Sequence, residues 1–438
     1  MNKLLLPLWL LLLSKTVFAE GSLDFLQFQR LNTPNNPGVA NSWYGFNFHD
    51  SWKIKKYRAK THAQISARHF TQGKATIFSI QEAYFQKIRG ETTFVSGRQV
   101  LDWFSMERFW YLGKLNGLRS FSLTEENQEG LVGVQFKRKM WGGEVGVFGS
   151  LLYIPELNPG YTFRDGKIIG NNEWSRMPPT QIGFREGRAP VRYELIQPDI
   201  KSLISQQSFG VNFRKDLDWL DISLFGIVKP ESKLRSGAYG YYEQLSDEAA
   251  KMRIRGFTLN HSVYGGNISI PVGDYKMNFG AMFIEPDLNS ADKFEPESFE
   301  NYQYEPDIYR ERYYVASIVG AWGTGGISFN YISGKEELIE KFDESSNAEP
   351  LFGSEMKWKN AIGLSFNHDF YERFTLDAKI QADLDKLDRL FKAEVKYRYS
   401  NFAELLIGAE IIDAPEDSSF WSTFRSNDSS YLKLSYVF

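Results

Sequence analysis

Tyr431-Leu432-Lys433-Leu434-Ser435-Tyr436-Val437-Phe438 is the stretch whose reading decides the fold. Leu432, Leu434, Tyr436 and Phe438 share one parity; Tyr431, Lys433, Ser435 and Val437 share the other. Successive strand residues point to opposite faces, so this is a strand with one greasy and one mostly polar face. Nothing polar follows Phe438. The expectation is a strand whose greasy face meets something other than water.

The same period of two recurs upstream. Ala59, Thr61, Ala63, Ile65 and Ala67 oppose Arg58, Lys60, His62, Gln64, Ser66 and Arg68. Val132, Val134 and Phe136 oppose Gln135, Lys137 and Lys139, and Phe374, Leu376, Ala378 and Ile380 oppose Thr375, Asp377, Lys379 and Gln381. Strands are expected near 22–30, 41–51, 58–68, 76–87, 92–100, 130–139, 144–154, 203–214, 219–228, 251–271, 274–285, 311–321, 324–333, 356–369, 371–384, 387–399, 401–412 and 429–438. The stretch 251–271 reads as one long strand kinked at Gly265 and Gly266. Tight turns such as Met140 to Gly143 and Trp322 to Gly323 then fall on one side. The long segments near 101–129, 155–202, 229–250, 286–310, 334–355 and 413–428 fall on the other. A turn is expected near Asp385 to Asp388, in preference to a helix over 380–395.

Residues 1–19 carry Lys3, the apolar run Leu4 to Leu13 broken by Pro7, and Val17 and Ala19 before Glu20. That order of charge, apolar run and small residues reads as a secretory signal peptide. The 438 residues contain no Cys, so no disulfide can hold an exported domain. Aromatics reach 16% with 35 Phe, 23 Tyr and 11 Trp, while only 42% of residues are hydrophobic. Polar on average yet aromatic-rich suits a barrel with a polar lumen, an apolar outer band and aromatic girdles. The expected fold is therefore all-β: a transmembrane antiparallel β-barrel of about 18 strands, with 16 as the alternative. It occupies 20–438 as one domain with long extracellular loops. The net charge of −3 gives no field toward nucleic acid. The final strand resembles the closing strand by which outer-membrane barrels are recognised for assembly, which makes Phe438 and Tyr436 an assembly signal. The implied location is the cell outer membrane. The implied partners are outer-membrane lipids, lipopolysaccharide, the barrel-assembly machinery and small polar solutes.

No catalytic residue is expected. His49, His62, His69, His261 and His368 make no zinc motif, and no serine–histidine spacing suggests a hydrolase. Gly323, Gly325 and Gly326 read as a hairpin turn, not a phosphate loop. The acidic segment 286–310 could hold calcium but lacks regular ligand spacing, and a solvated surface is the better reading. No cofactor is called for. The longest loop, 155–202, carries Arg164, Arg176, Arg185, Arg188 and Arg192, with Trp174, Phe184 and Tyr193 among them. Guanidiniums among aromatics suit anionic or sugar-like solutes, and a loop that long is expected to fold into the mouth.

Residues 80–135 carry a family likeness. Glu82-Ala83-Tyr84 is followed by Ser96-Gly97-Arg98-Gln99, then Trp103, Trp110, Leu112, Gly113 and Asn116, then Glu129-Gly130-Leu131. This resembles the alginate-export type of outer-membrane porin, in which a Gly-Arg-Gln strand end lies beside the pore. The resemblance implies an 18-stranded barrel for passive diffusion of anionic saccharide-like solutes, with Arg98 at the pore. The expected lumen then includes Arg98, Lys60, Arg68, Lys137, Lys139, Arg185, Arg188, Arg192, Lys379, Lys396 and Arg398. The rival reading is a non-conducting surface barrel whose loops bind a partner.

Overall fold

The computed structural model describes residues 20–32, 42–54, 58–71, 76–118, 124, 127–156, 161–170, 174, 180–184, 187–197, 199–242, 250–290, 302–304, 307–340, 356–416 and 419–438. The signal-peptide reading of 1–19 lies outside them. Eighteen strands form one antiparallel sheet. They are β1 (Glu20–Arg30), β2 (Ser42–Ile54), β3 (Ala59–Phe70), β4 (Thr76–Arg89), β5 (Thr92–Gln99), β6 (Leu131–Met140), β7 (Gly143–Ser150), β8 (Ser208–Leu217) and β9 (Leu220–Pro230). Next come β10 (Asn260–Val272), β11 (Tyr275–Asp287), β12 (Ile308–Trp322), β13 (Gly325–Glu340), β14 (Asn360–Phe370), β15 (Phe374–Asp383), β16 (Arg389–Ser400), β17 (Ala403–Asp413) and β18 (Ser429–Val437). Each strand pairs with the next, and β1 also pairs with β18 from Ser22↔Val437 to Arg30↔Ser429. The sheet is closed, so no edge is left unpaired.

Alternation sorts the faces. Phe25, Phe78, Phe136, Phe209, Leu224, Ile268, Phe279, Ile318, Phe329, Leu364, Val395, Ile407 and Leu432 are exposed on the outside. Trp141, Trp219, Trp322 and Phe402 are exposed in the short turns, and Tyr264, Phe283 and Tyr314 cluster farther up. An apolar band between aromatic girdles is the surface that lipid requires. The turns at one end are tight: Trp141 and Gly142 both take positive φ, as a two-residue hairpin needs to match strand twist. The other end carries the long loops, and the turn over 384–388 lies among them.

Two expectations are corrected here. The stretch 251–271 is not one kinked strand. It breaks at Thr258 and Leu259, and Ala250–Phe257 leaves the barrel. That piece joins Gln181–Phe184, Gly187–Ile196, Arg235–Tyr242 and Tyr302–Tyr304 in a five-stranded sheet outside the barrel. Gly265 and Gly266 instead sit flat in β10, where an added Cβ would meet the Ala281 and Ser223 carbonyl oxygens. The second correction concerns the lumen, which is not polar throughout. Phe148, Phe225, Ile227, Val263, Met282, Ile284, Tyr313, Val315, Ile332, Leu390 and Ile412 are buried in one cluster. Chain that folds in from the mouth covers them.

Candidate functional site, the lumen and its inward-folded loop

The covering chain is drawn from the connection between β5 and β6, in its described residues 100–118, 124 and 127–130. Leu101, Trp103, Phe104, Met106, Trp110, Leu112 and Leu115 are all buried against the wall residues just named. The loop is held by its own polar hub. The Glu107 carboxylate accepts the N–H groups of Leu115 and Asn116, the Asn116 side-chain amide at 3.1 Å and the Gln128 amide at 3.3 Å. Burial pushes the Glu107 carboxyl up to about 6, against the pull of those donors.

Ties to the wall run around the barrel. Asn267 on β10 donates to Trp103 O at 2.8 Å, and Lys229 on β9 donates to Lys114 O at 3.1 Å. Lys114 pairs with Glu311 on β12 at 2.7 Å. On β15, Lys379 donates to Phe109 O at 2.8 Å and to the Tyr111 hydroxyl at 3.0 Å. Its ammonium also lies 4.1 Å from the Phe109 ring centroid, and Gln381 adds a bond to Phe109 O at 2.9 Å. From above, the Trp358 indole donates to Trp110 O at 3.1 Å and the Trp421 indole to Lys357 O at 3.1 Å. Trp110 meets Trp358 edge to face at 5.4 Å, and Trp358 lies tilted against Trp421 at 5.3 Å. The loop therefore crosses the lumen as a fixed bar.

One side stays open. A cavity of about 510 Å³ lies between Tyr111, Thr124, Asn127 and Trp174 and the wall of β1–β3 and β14–β18. Its lining includes five cations, Arg30, Arg68, Lys379, Lys392 and Lys433, against three carboxylates, Asp377, Glu394 and Glu410. Aromatic and aliphatic side chains interleave with them. Leu26, Trp43, Phe70 and Tyr431 form a buried cluster on the lumen side, with Phe28 and Leu406 packed against it. The Arg30 guanidinium sits 5.0 Å from the Phe28 centroid and that of Arg68 4.9 Å from Trp43. Lys433 pairs with Asp24 at 3.0 Å, and Lys392 with Glu394 at 3.1 Å.

The residues singled out from sequence fall in different places. Arg68 and Lys379 line the cavity. Lys60 shares the face of His62, and Lys137 and Lys139 share the face of the buried Gln135. Lys396 lies across from Leu406, and Arg398 bonds Glu404 at 3.4 Å near the tight-turn end. Arg98 is at the root of the loop: it donates to Glu129 at 2.8 Å and to Gly130 O at 2.9 Å. Arg188 and Arg192 lie on one strand of the five-stranded sheet, with Arg192 exposed, and Arg164 lies on the hairpin of 161–170. Arg176 and Arg185 lie outside the described residues. Of loop 155–202, Trp174 joins the lumen core, against Phe424 at 5.3 Å. Loop 155–202, expected to fold into the mouth, thus reaches the lumen at Trp174, while described residues of 100–130 supply the bar. Tyr436 faces outward, and Phe438 exchanges backbone bonds with Gly21 at 3.0 and 3.1 Å.

The fold also joins Ser51, His62 and Glu82 on three neighbouring strands. Ser51 Oγ is 2.8 Å from His62 Nδ1, and His62 Nε2 is 3.2 Å from Glu82. Glu82 in turn accepts the Val100 N–H at 3.0 Å, so the row braces the loop root. Sequence spacing missed it because each member comes from a different strand. Among the described residues no group of three or more His, Cys, Asp or Glu gathers to hold a metal. Of the acidic segment 286–310, residues 291–301, 305 and 306 lie outside the described residues.

A closed, even-numbered antiparallel sheet, an apolar outer band and a short-turn end opposite a long-loop end are the marks of an outer-membrane barrel. The fold is that of an outer-membrane β-barrel. At this strand number a barrel encloses an aqueous passage that side chains alone do not fill. No family model and no curated protein matches the chain. Among solved structures it is similar to OccAB1 of Acinetobacter baumannii, at 12% identity and TM-score 0.47 over 96% of this chain and 95% of that one. It is also similar to OccK11 (OpdR) of Pseudomonas aeruginosa, at 9% and 0.46 over 96% and 95%. OmpT, an outer membrane protein of Vibrio cholerae, follows at 8% and 0.40 over 97% and 99%.

Proposed function

We propose that the barrel is a channel for passive diffusion of small polar solutes, favouring those with negative charge. The observation that carries this is the cavity left beside the bar, with its five lining cations against three carboxylates. A narrow wet slot between low-dielectric walls strengthens such a field. Diffusion calls for no catalytic group; it calls for width and charge, which the bar and the slot provide. Rings of Phe28, Trp43 and Tyr431 beside the cations suit solutes with an apolar or sugar-like face. An anionic saccharide, the solute type that the alginate-export resemblance implies, would satisfy both features. That resemblance spans β4, β5 and the bar, including Arg98 at the bar's root.

The test is the reversal potential of single channels in a planar bilayer under a potassium chloride gradient. The parent should prefer chloride. Arg30→Glu with Arg68→Glu should move the reversal potential toward potassium. An unchanged potential would remove the slot as the selectivity site. Absence of any conductance would favour the barrel as a platform for its loops.

A further inference from the structure

Beside the mouth, two short segments hold apolar side chains outward. Above β7, residues 151–156 are pinned at Tyr153 and Glu156. The buried Tyr153 donates its hydroxyl to Glu231 O at 2.5 Å and its N–H to Ile204 O at 2.8 Å. The buried Glu156 donates its N–H to Ser232 O at 2.6 Å, and its carboxylate accepts the Leu118 N–H at 2.9 Å. Between and beside those anchors Leu151, Leu152 and Ile154 stay exposed, at 74%, 41% and 40%. The helix α1 (Ile200–Ile204), capped by Asp199, lies alongside and leaves Ile200 67% and Ile204 38% exposed.

A pinned apolar surface in water is unfavourable, so something covers it. What lies directly below identifies the cover. Val147, Phe209, Val211 and Val228 on β7–β9 are exposed on the same outer face. They belong to the band that lipid contacts. Tyr264 pairs with Gly226, and Gly226 with Val211. Ser208, three residues farther along β8, pairs with Ser150. Counted from the tight turns, Leu151 stands nine residues from Gly142 and Tyr264 nine from Gly273, so the patch begins at the tyrosine level. Aromatic girdles settle at the headgroups, so the patch begins at that boundary.

We propose that 151–154 and 200–204 form a shelf that docks on outer-leaflet lipid at the boundary of headgroups and acyl chains. Unbroken continuity with the lipid-facing residues of β7–β9 favours lipid over a protein partner. Lys201, exposed on the same helix, is placed to meet a lipid phosphate. The shelf fixes one side of the mouth against the membrane and is independent of which solute passes.

The chain has no Cys, so a single introduced thiol can be labelled uniquely. Leu151→Cys and Ile200→Cys would be labelled with bimane in the full chain, reconstituted in phosphatidylcholine and phosphatidylglycerol vesicles. Phe209→Cys serves as the bilayer reference and Thr180→Cys as the water reference. The 151 and 200 labels should lose fluorescence to lipids with a doxyl group near the headgroup, as the 209 label does, and resist iodide. Iodide quenching like that at 180 would overturn the proposal. So would efficient thiol cross-linking of two copies through 151 or 200, which would assign the patch to a second copy.

Discussion

Glu107 concentrates the chemistry of the bar in one carboxyl group. It accepts donors from Leu115, Asn116 and Gln128 inside the lumen and sits fully buried, with its pKa raised to about 6. The folded carboxyl therefore holds a proton between the ordinary Glu value of 4.5 and about 6, where the unfolded one has lost it. The resulting stabilisation is fully present below the unfolded value and is lost as pH rises through about 6. A shift of this size corresponds to about 2 kcal/mol. The folded parent should therefore gain that much, relative to Glu107→Gln, when pH falls from 7 to 4.5. Thermal unfolding of both forms at the two pH values checks it; parallel curves would show that Glu107 does not titrate in this window. Gly97 offers a second residue-level test. Its φ is +127°, and an added Cβ would collide with the Ala83 carbonyl on β4. Only glycine tolerates that backbone and that approach together. Gly97→Ala should displace Arg98 from Glu129 and destabilise the bar, read as faster proteolysis within 100–130. Little of this residue chemistry was legible beforehand. Arg98 was visible as a strand-end cation, but its partner Glu129 lies across an inserted loop. Ser51, His62 and Glu82 meet only because β2, β3 and β4 are in register.

At the scale of elements, period two placed the strands well because each barrel strand has two unlike surroundings. It misplaced 251–271 for the same reason. Ala250–Phe257 alternates too, with Met252 and Ile254 buried in an external sheet, and alternation does not say which sheet a strand joins. The inward loop did leave a trace. Leu224-Phe225-Gly226-Ile227-Val228, Met282-Phe283-Ile284 and Tyr313-Tyr314-Val315 are apolar on both parities. Strands read that way when both faces are covered by something other than water. The runs mark where lipid lies outside and a packed segment lies inside, although they do not say which loop supplies it. The bar's fixity follows from Trp110 between Trp358 and Phe109. Trp110→Ala should cost about 3–5 kcal/mol at that junction, as large aromatic truncations do in cores. Single-channel traces should then become larger and noisier, because the bar separates from its clamp. Lys379→Met, which removes the ties to Phe109 and Tyr111, should raise conductance in the same direction. Unaltered conductance in both would mean that the passage does not run past the bar.

For the whole molecule the decisive contact is the seam. β1 and β18 are the most distant strands in sequence, yet they pair over nine residues from Ser22 to Arg30. Closing so long a loop carries an entropic cost that rises slowly with length, so local strand pairs form ahead of the seam. At its tight-turn end the seam is finished by two backbone bonds between Gly21 and Phe438. Gly21 lets the Phe438 ring lie against it, since an added Cβ would come within 2.6 Å of the ring. Two roles for Phe438 can therefore be separated. Phe438→Ala keeps the backbone bonds and removes the ring; deletion of Phe438 removes both. If the ring acts as an assembly signal, both variants should reach the outer membrane poorly while refolding in detergent to a heat-modifiable barrel. If only the seam bonds matter, Phe438→Ala should assemble like the parent, and the deletion alone should lower the unfolding temperature in detergent. Surface levels and heat modifiability, read on the same two variants, decide between the roles.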